Sequence, residues 1–182
     1  ALVSLVSILS KYVLRYRGRH IWNPSNFGIS WFFFFAPSTV AGLSIQWGNS
    51  LLPMLVIWAL GLFIAIRAKR LHITLTYVTG FIFFSFLRSL IEGTGFFTEV
   101  APLTGPMYQL FVFFMITDPA TTVSTRKGRI IVALLIAGLE FVLRLNEMIY
   151  APFYSLFIVG PITLVIDMKL QNRKALKLDP AP

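Results

Sequence analysis

The sequence predicts an all-α, polytopic membrane protein with about six membrane segments, some of them discontinuous half-helices. The composition is 57% hydrophobic and only 13% charged, which is far from that of a soluble domain. The apolar residues form blocks of about twenty, separated by short basic loops. One block, residues 106–117, lies between Gly-Pro and Asp-Pro. It would reach only about 18 Å as a helix, against roughly 30 Å of hydrocarbon.

Caps and breaks place the apolar segments along the chain. Asn23-Pro24 has the form of an N-cap followed by proline at the first helical position. Pro37 breaks or kinks the aromatic-rich helix that follows, which makes it a second candidate discontinuous helix. The segment at 106–117 is a half-helix, which a membrane protein tolerates only where protein or a cavity surrounds it. The predicted segments are residues 1–16, 25–36, 51–66, 71–91, 106–117, 130–145 and 151–168.

We divide the chain into a transmembrane helical domain, residues 1–168, and a basic cytoplasmic tail, residues 169–182. The chain begins inside an apolar segment, without an initiator Met, a basic leader or a cleavage site. We therefore expect the domain to be N-terminally incomplete, as a piece of a longer protein.

The positive charge of the chain follows its loops. All Lys and Arg residues except Arg88 and Arg144 fall in four segments, residues 10–20, 67–70, 119–129 and 169–182. If these segments share one side, the positive-inside rule places them in the cytoplasm. We expect a protein integral to the lipid bilayer of a bacterial inner (cytoplasmic) membrane. Nucleic-acid binding is not expected, although the net charge is +9.

The sequence offers little enzymatic chemistry. It contains no cysteine, which excludes disulfides, thiolate metal sites and iron–sulfur ligation within this chain. His20 and His72 lack metal-ligand spacing. There is no nucleophile–base set and no phosphate-binding glycine loop. We assign no catalytic residue and no metal, and we leave open whether the chain is an enzyme.

Charged residues inside the predicted spans are functional candidates, because burying them in a bilayer is costly. Glu140 precedes Arg144 by one helical turn, so an internal ion pair is the simpler interpretation. Arg88 lies near the outer end of its helix and can reach toward Glu92. We interpret the phenylalanine blocks as lipid-facing and packing surface rather than as a pigment or quinone site.

Two short segments share the order Asx, proline, small residue, polar residue. They are residues 23–26, Asn-Pro-Ser-Asn, and residues 118–121, Asp-Pro-Ala-Thr. An Asx-Pro step begins a turn or caps a helix, and it leaves backbone N–H groups available to a ligand. Membrane folds with internal pseudo-symmetry place broken helices at corresponding positions in their halves. A ligand cleft between the two turns and two ordinary helix caps are both open interpretations.

Together with further motifs, these turns resemble one family of membrane subunits. The family contains the D subunit of Rnf-type ion-translocating oxidoreductases and the B subunit of the sodium-pumping NADH:quinone reductase. Residues 10–28 are most similar to a shorter branch associated with enediyne biosynthesis. The motifs are residues 20–28 (His-Ile-Trp-Asn-Pro-Ser-Asn-Phe-Gly), Thr104-Gly105-Pro106, Thr117-Asp118-Pro119, Lys127-Gly128-Arg129, and Pro161 with Asp167 in the last span.

The resemblance implies a ten-helix fold of two pseudo-symmetric halves, of which this chain would be a fragment. It implies electron transfer linked to sodium or proton movement, and a flavin held near the cytoplasmic side. Amide, hydroxyl and backbone donors suit the polar edge of an isoalloxazine, and Phe rings suit its faces. The residues that would line the flavin pocket are Asn23, Asn26, Thr117, Asp118 and Thr121.

One departure from the family changes the expected cofactor. The two named subunits carry a longer loop with a Ser-Gly-Ala-Thr-like motif, whose threonine takes FMN through a phosphoester bond. The corresponding connection here, residues 37–50, is short and lacks that motif. Covalent FMN is therefore not expected, and a bound flavin would be non-covalent.

Three functions fit these observations. The first is a membrane subunit of an electron-transfer complex that binds a non-covalent flavin or contacts quinone near the cytoplasmic side. The second is a cofactor-free structural or accessory membrane subunit of a larger complex. The third is a channel or transporter that uses the broken helices as a path. The first two imply other membrane subunits as partners.

Overall fold

The computed structural model describes residues 2–37 and 50–178, with side chains through residue 173. Its elements are almost all helical, with one hairpin of two-residue strands. In chain order they are α1 (Leu2–Val13), β1 (Arg15–Tyr16), β2 (Arg19–His20), α2 (Pro24–Phe35), α3 (Leu51–Arg67), α4 (Leu71–Glu92), α5 (Phe96–Val100), a 3-10 turn (Ala101–Thr104), α6 (Pro106–Leu110) continued by a π-helix (Phe111–Met115), α7 (Arg126–Leu145) and α8 (Ala151–Leu178).

The predicted all-α membrane class is confirmed. Among the described residues, two helical stretches, Leu71–Glu92 and Ala151–Arg173, are long and apolar enough to cross a bilayer. Leu2–Val13, Leu51–Arg67 and Pro106–Met115 are shorter apolar helices. Many large apolar side chains lie on the outside of the helices, an arrangement that suits a surface covered by lipid. The number of spans stays a prediction.

The predicted half-helix is present as α6 and the π-helix, Pro106–Met115. Pro106 occupies its first turn, where a missing N–H costs nothing. In the π-helix the Ile116 N–H donates to the carbonyl of Phe111, five residues back. Protein encloses the segment: Phe111 is fully buried and Phe113 is 5% exposed. This enclosure is what a broken helix at membrane depth requires.

The other helices pack as a chain of neighbours around the half-helix. α1 packs on α2, α2 on α8, α8 on α7, and α7 on α4. The half-helix fills the space between α3 and α4. Its contact with α3 is close, because a Cβ at Gly61 would lie 2.5 Å from Cγ of Phe113. The main core includes Tyr77, Phe111 and Ile136.

Local features differ from the sequence expectations at three places. Between α1 and α2 the chain forms a hairpin whose turn passes through Arg17 and Gly18, both with positive φ. Such a turn matches the twist of the two strands. α7 begins before residue 130, at Arg126, because Thr125 Oγ1 accepts the N–H of Gly128 at 3.1 Å and caps the helix. α8 continues past Met168 to Leu178, so the first part of the basic tail is helical.

Candidate functional site

The two Asx-Pro turns meet at one end of the helices, although 95 residues separate Asn23 from Asp118. Asn23 Nδ2 donates to Asp118 Oδ2 at 3.2 Å. Thr121 Oγ1 donates to the same carboxylate oxygen at 3.0 Å. We call Asn23, Asp118 and Thr121 the Asx-Pro joint. The two turns therefore face each other, an arrangement that the sequence left open beside that of two separate helix caps.

Each side of the joint also caps its own turn. Asn23 Oδ1 accepts the N–H of Asn26 at 3.0 Å and so caps α2. Asp118 Oδ1 accepts the N–H of Ala120 at 3.0 Å, the usual use of an Asx side chain in a turn. Both polar atoms of the Asn23 amide and both carboxylate oxygens of Asp118 are therefore engaged within the protein.

The other two predicted residues use their side chains elsewhere. Asn26 is 1% exposed, and its Nδ2 donates to the carbonyl of Phe153 in α8 at 3.2 Å. Thr117 Oγ1 donates to the carbonyl of Phe113, one turn back, at 2.5 Å. Asn26 thus ties α2 to α8, and Thr117 supplies a hydrogen-bond donor to a backbone carbonyl near the end of the half-helix. Neither side chain joins the hydrogen bonds between Asn23 and Asp118.

Basic side chains surround the joint. Arg19 Nη2 donates to the carbonyl of Ala120 at 2.8 Å and ties the β-hairpin to the second turn. Burial and the neighbouring guanidinium of Arg129 lower the pKa of Arg70, against the opposing effect of Asp118. We call this end of the helices, which carries Arg19, Arg70, Arg126 and Arg129, the basic end.

The space beside the joint is small. A cavity of about 20 Å³ is lined by Asn23, Thr121 and apolar residues of the half-helix, α7 and α8. That volume holds about one water molecule, whereas small-molecule pockets measure roughly 300–1,000 Å³. In this arrangement Asn23, Asp118 and Thr121 do not fit a flavin. Their polar atoms are already hydrogen-bonded within the protein, and the cavity beside them is too small for the ring system.

Flavin binding by the five predicted residues stays a prediction, and it requires the two turns to separate. The expectation that FMN is not covalently attached depends on residues 38–49, which lie outside the described residues.

This chain is similar to known proteins over a range that includes the Asx-Pro joint. The sequence profile of the NQR2, RnfD, RnfE family matches residues 10–175. The chain belongs to this family. The D subunit of the ion-translocating oxidoreductase complex of Erwinia tasmaniensis is 31% identical over 107 residues, and that of Cronobacter sakazakii is 33% identical over 106. Each match covers 58% of this chain but only 29% of the relative's length.

Membership of the NQR2, RnfD, RnfE family confirms the resemblance seen in the Asn-Pro and Thr-Asp-Pro motifs. Both turns of the joint lie inside the matched range. Two further polar clusters of this family member are not among the motifs that carried the resemblance, and of their contacts the sequence predicts only that of Arg88 with Glu92.

The first of these clusters is a buried carboxyl group. Glu140 of α7 is 1% exposed. Its Oε1 accepts the hydroxyl of Tyr108 at 2.7 Å, and its Oε2 accepts the hydroxyl of Tyr77. We call Glu140, Tyr77 and Tyr108 the carboxyl knot. It joins α7, the half-helix and α4.

The expected ion pair between Glu140 and Arg144 is wrong. Arg144 Nη2 instead pairs with Glu99 Oε2 at 2.9 Å, and its guanidinium lies 4.8 Å from the centre of the Phe81 ring. The reason is tertiary: α5 places Glu99 within reach of both α4 and α7. Glu99 therefore takes the guanidinium that helical spacing assigned to Glu140.

The second cluster is an ion-pair network at the end opposite the basic end. The predicted contact of Arg88 with Glu92 is confirmed at 2.8 Å. Arg88 also pairs with Glu99 Oε2 at 2.7 Å, while Thr94 Oγ1 donates to Glu99 Oε1 at 2.8 Å. Two guanidinium groups thus compensate one carboxylate that is 4% exposed.

Proposed function

We propose that this protein is an integral membrane subunit of an ion-translocating electron-transfer complex. Two findings support the proposal: membership of the NQR2, RnfD, RnfE family, and relatives named as D subunits of such complexes. We further propose that it lies in a bacterial inner membrane with the basic end toward the cytoplasm, since all Lys and Arg residues except Arg88 and Arg144 fall in segments 10–20, 67–70, 119–129 and 169–182.

Within such a complex, the geometry best supports a structural role for the Asx-Pro joint. The main support is that Asn23 and Thr121 both hydrogen-bond to Asp118 beside a cavity of about 20 Å³. A ligand between the turns would have to replace those bonds. We therefore propose that the joint fixes the N-terminus of α2 against the end of the half-helix, and that the chain acts as an accessory subunit without a cofactor at this point.

The test separates assembly from electron transfer. Asn23→Ser and Asp118→Asn are introduced into the native complex, with Ser25→Ala as the control, because Ser25 is exposed in the same turn. We expect the two joint variants to lower the yield of assembled complex, while electron transfer per assembled complex and flavin content stay unchanged. Normal assembly with lost flavin or strongly reduced electron transfer would overturn the structural role in favour of flavin binding at the joint.

A second candidate function is contact with a quinone, and a different cavity favours it. A cavity of about 230 Å³ lies between α3, α4 and the half-helix, and Trp58, Val78 and Phe113 are among its largely apolar lining. Gln109 lines it as well, and its buried Oε1 has no hydrogen-bond partner among the described residues. A quinol hydroxyl could supply the missing donor, and the apolar walls suit a lipophilic ring or tail.

Quinone contact is tested with the reduced, quinol form of a short-tailed ubiquinone analogue, added to the purified complex in detergent. Saturable binding that Gln109→Met weakens, and that Thr79→Ala on the exposed face of α4 leaves unchanged, would support the contact. Equal binding by the wild-type protein and both variants would overturn the contact through Gln109.

A further inference from the structure

We propose that Glu140 is a proton-binding site inside the helix bundle. It takes up and releases its proton through Tyr108 and a cavity at the end opposite the basic end. This site goes beyond the role in a complex, and it needs neither flavin nor quinone.

Glu140 is buried without a pairing charge in the part of the chain that the structure describes. Its side chain is 1% exposed, and its two oxygens accept hydroxyl groups rather than a cationic donor. Arg144, the cation on the same helix, is held by Glu99. An ionised carboxylate in this position loses its hydration, which favours the protonated form. Two hydroxyl donors favour the ionised form.

Among residues 2–37 and 50–173, the elements around Glu140 add no further charge within bonding distance. α4 contributes Tyr77 and the half-helix contributes Tyr108. α8 packs on α7. Tyr150 directly precedes α8 and Tyr154 lies in its first turn, but the hydroxyl groups bonded to Glu140 are those of Tyr77 and Tyr108. Because desolvation and hydrogen bonding oppose each other here, both protonation states are within reach, as proton exchange requires.

Tyr108 connects this carboxyl group to a water-accessible space. A cavity of about 580 Å³ is lined by Tyr108 together with the charged side chains of Arg88, Arg144 and Glu147. Tyr108 therefore contacts the cavity on one side and Glu140 on the other. Tyr77 is fully buried and does not line this cavity. The two tyrosines hold the same carboxyl group, but only Tyr108 among them borders a route for protons.

The proton moves through Tyr108 as a relay, in which each O–H bond that breaks is matched by one that forms. A hydronium ion in the cavity gives a proton to Tyr108 Oη while the original hydroxyl proton of Tyr108 passes to Glu140 Oε1. One O–H bond breaks and one forms at Tyr108, which stays neutral. Glu140 becomes a neutral carboxylic acid whose O–H donates back to Tyr108 Oη. Release to the cavity follows the reverse order.

The test is infrared spectroscopy of the purified protein, with any subunits that copurify, in lipid nanodiscs. The C=O stretch of a protonated carboxylic acid is recorded across a pH series and during transfer into D₂O. We expect a pH-dependent band that Glu140→Gln removes. A pH series in which the wild-type protein and Glu140→Gln give the same spectra would overturn the proposal.

Two matched variants test the route without relying on Glu140→Gln. Tyr108→Phe and Tyr77→Phe each remove one hydroxyl donor to Glu140 and keep the aromatic ring. We expect Tyr108→Phe to slow hydrogen–deuterium exchange of the carboxyl band by about tenfold or more, and Tyr77→Phe to leave that rate nearly unchanged. Equal slowing by both variants would overturn the role of Tyr108. A carboxyl band that responds to sodium at constant pH would overturn the proposal, because it would show that Glu140 binds a metal cation rather than a proton.

Discussion

Asn23 donates a hydrogen bond to Asp118 at 3.2 Å, and the two residues are 95 positions apart in the chain. Each of them also uses its second polar atom to cap its own turn, at Asn26 and Ala120 respectively. The cap fixes the direction in which each side chain points, and the bond between them fixes one turn against the other. The start of α2 and the end of the half-helix are thereby held together.

This double use of Asn23 predicts that two substitutions differ in their cost. Asn23→Ser keeps a capping oxygen but loses the amide donor, and we expect it to destabilise the protein by about 1 kcal/mol. Asn23→Asp also keeps the cap, but it places a second carboxylate beside Asp118. We expect a loss of about 2 kcal/mol, since like charges now repel at a partly buried site. Denaturant unfolding in detergent, followed by circular dichroism, measures both losses.

Exchanging the two groups supplies the control. In the double variant Asn23→Asp with Asp118→Asn, the amide and the carboxylate change places and the bond can form with the opposite donor. We expect the pair to recover at least about half of the stability that Asn23→Asp loses. If the double variant is no more stable than Asn23→Asp alone, the contact between the two side chains does not contribute to stability.

The two Asx-Pro turns and the half-helix could be predicted from the sequence because each depends on local signals. Asn23-Pro24 and Asp118-Pro119 are turn and cap patterns whose geometry follows from the proline ring and the short Asx side chain. The length of the apolar run after Pro106 excludes a full span by arithmetic alone. The Arg88–Glu92 pair follows from helical spacing in the same way.

The carboxyl knot could not be predicted, because its members come from three elements. Helical spacing relates Glu140 to Arg144 but carries no information on Tyr77 and Tyr108, which reach Glu140 from α4 and the half-helix. The position of Glu99 depends on how the short segment Phe96–Thr104 folds back, which no periodicity in nine residues determines. The hairpin before α2 does have a local signal, since Gly18 lies in a short polar loop where a positive φ is easily adopted.

The approach of α3 to the half-helix predicts a steric effect at Gly61. A Cβ there would lie 2.5 Å from Cγ of Phe113, so Gly61→Ala must displace the ring. We expect a loss of about 1–3 kcal/mol in stability, with the enclosed half-helix loosened. Gly160→Ala is the matched control, because its Cβ would meet the nearest side chain, Leu156, at an ordinary 3.5 Å. Thermal unfolding in detergent compares the two.

A second substitution identifies the cause of that loss. Combining Gly61→Ala with Phe113→Leu removes the ring that the new methyl group contacts. We expect the double variant to be more stable than the sum of the two single losses predicts. Simple additivity would mean that Gly61→Ala acts through something other than Phe113.

The ion-pair network predicts a large difference between its two linked carboxylates. Glu99 is 4% exposed and pairs with both Arg88 and Arg144, so Glu99→Gln leaves two guanidinium groups without their common partner. We expect a loss of about 3–5 kcal/mol, the usual cost of breaking a buried ion pair from one side. Glu92→Gln removes a single i,i+4 pair with a more exposed side chain, and we expect less than about 1 kcal/mol. Both variants replace a glutamate by glutamine, so each loses the same charge. Comparing their unfolding midpoints therefore measures the effect of the deeper burial of Glu99. Equal losses would mean that Glu99 is solvated in the membrane-embedded protein.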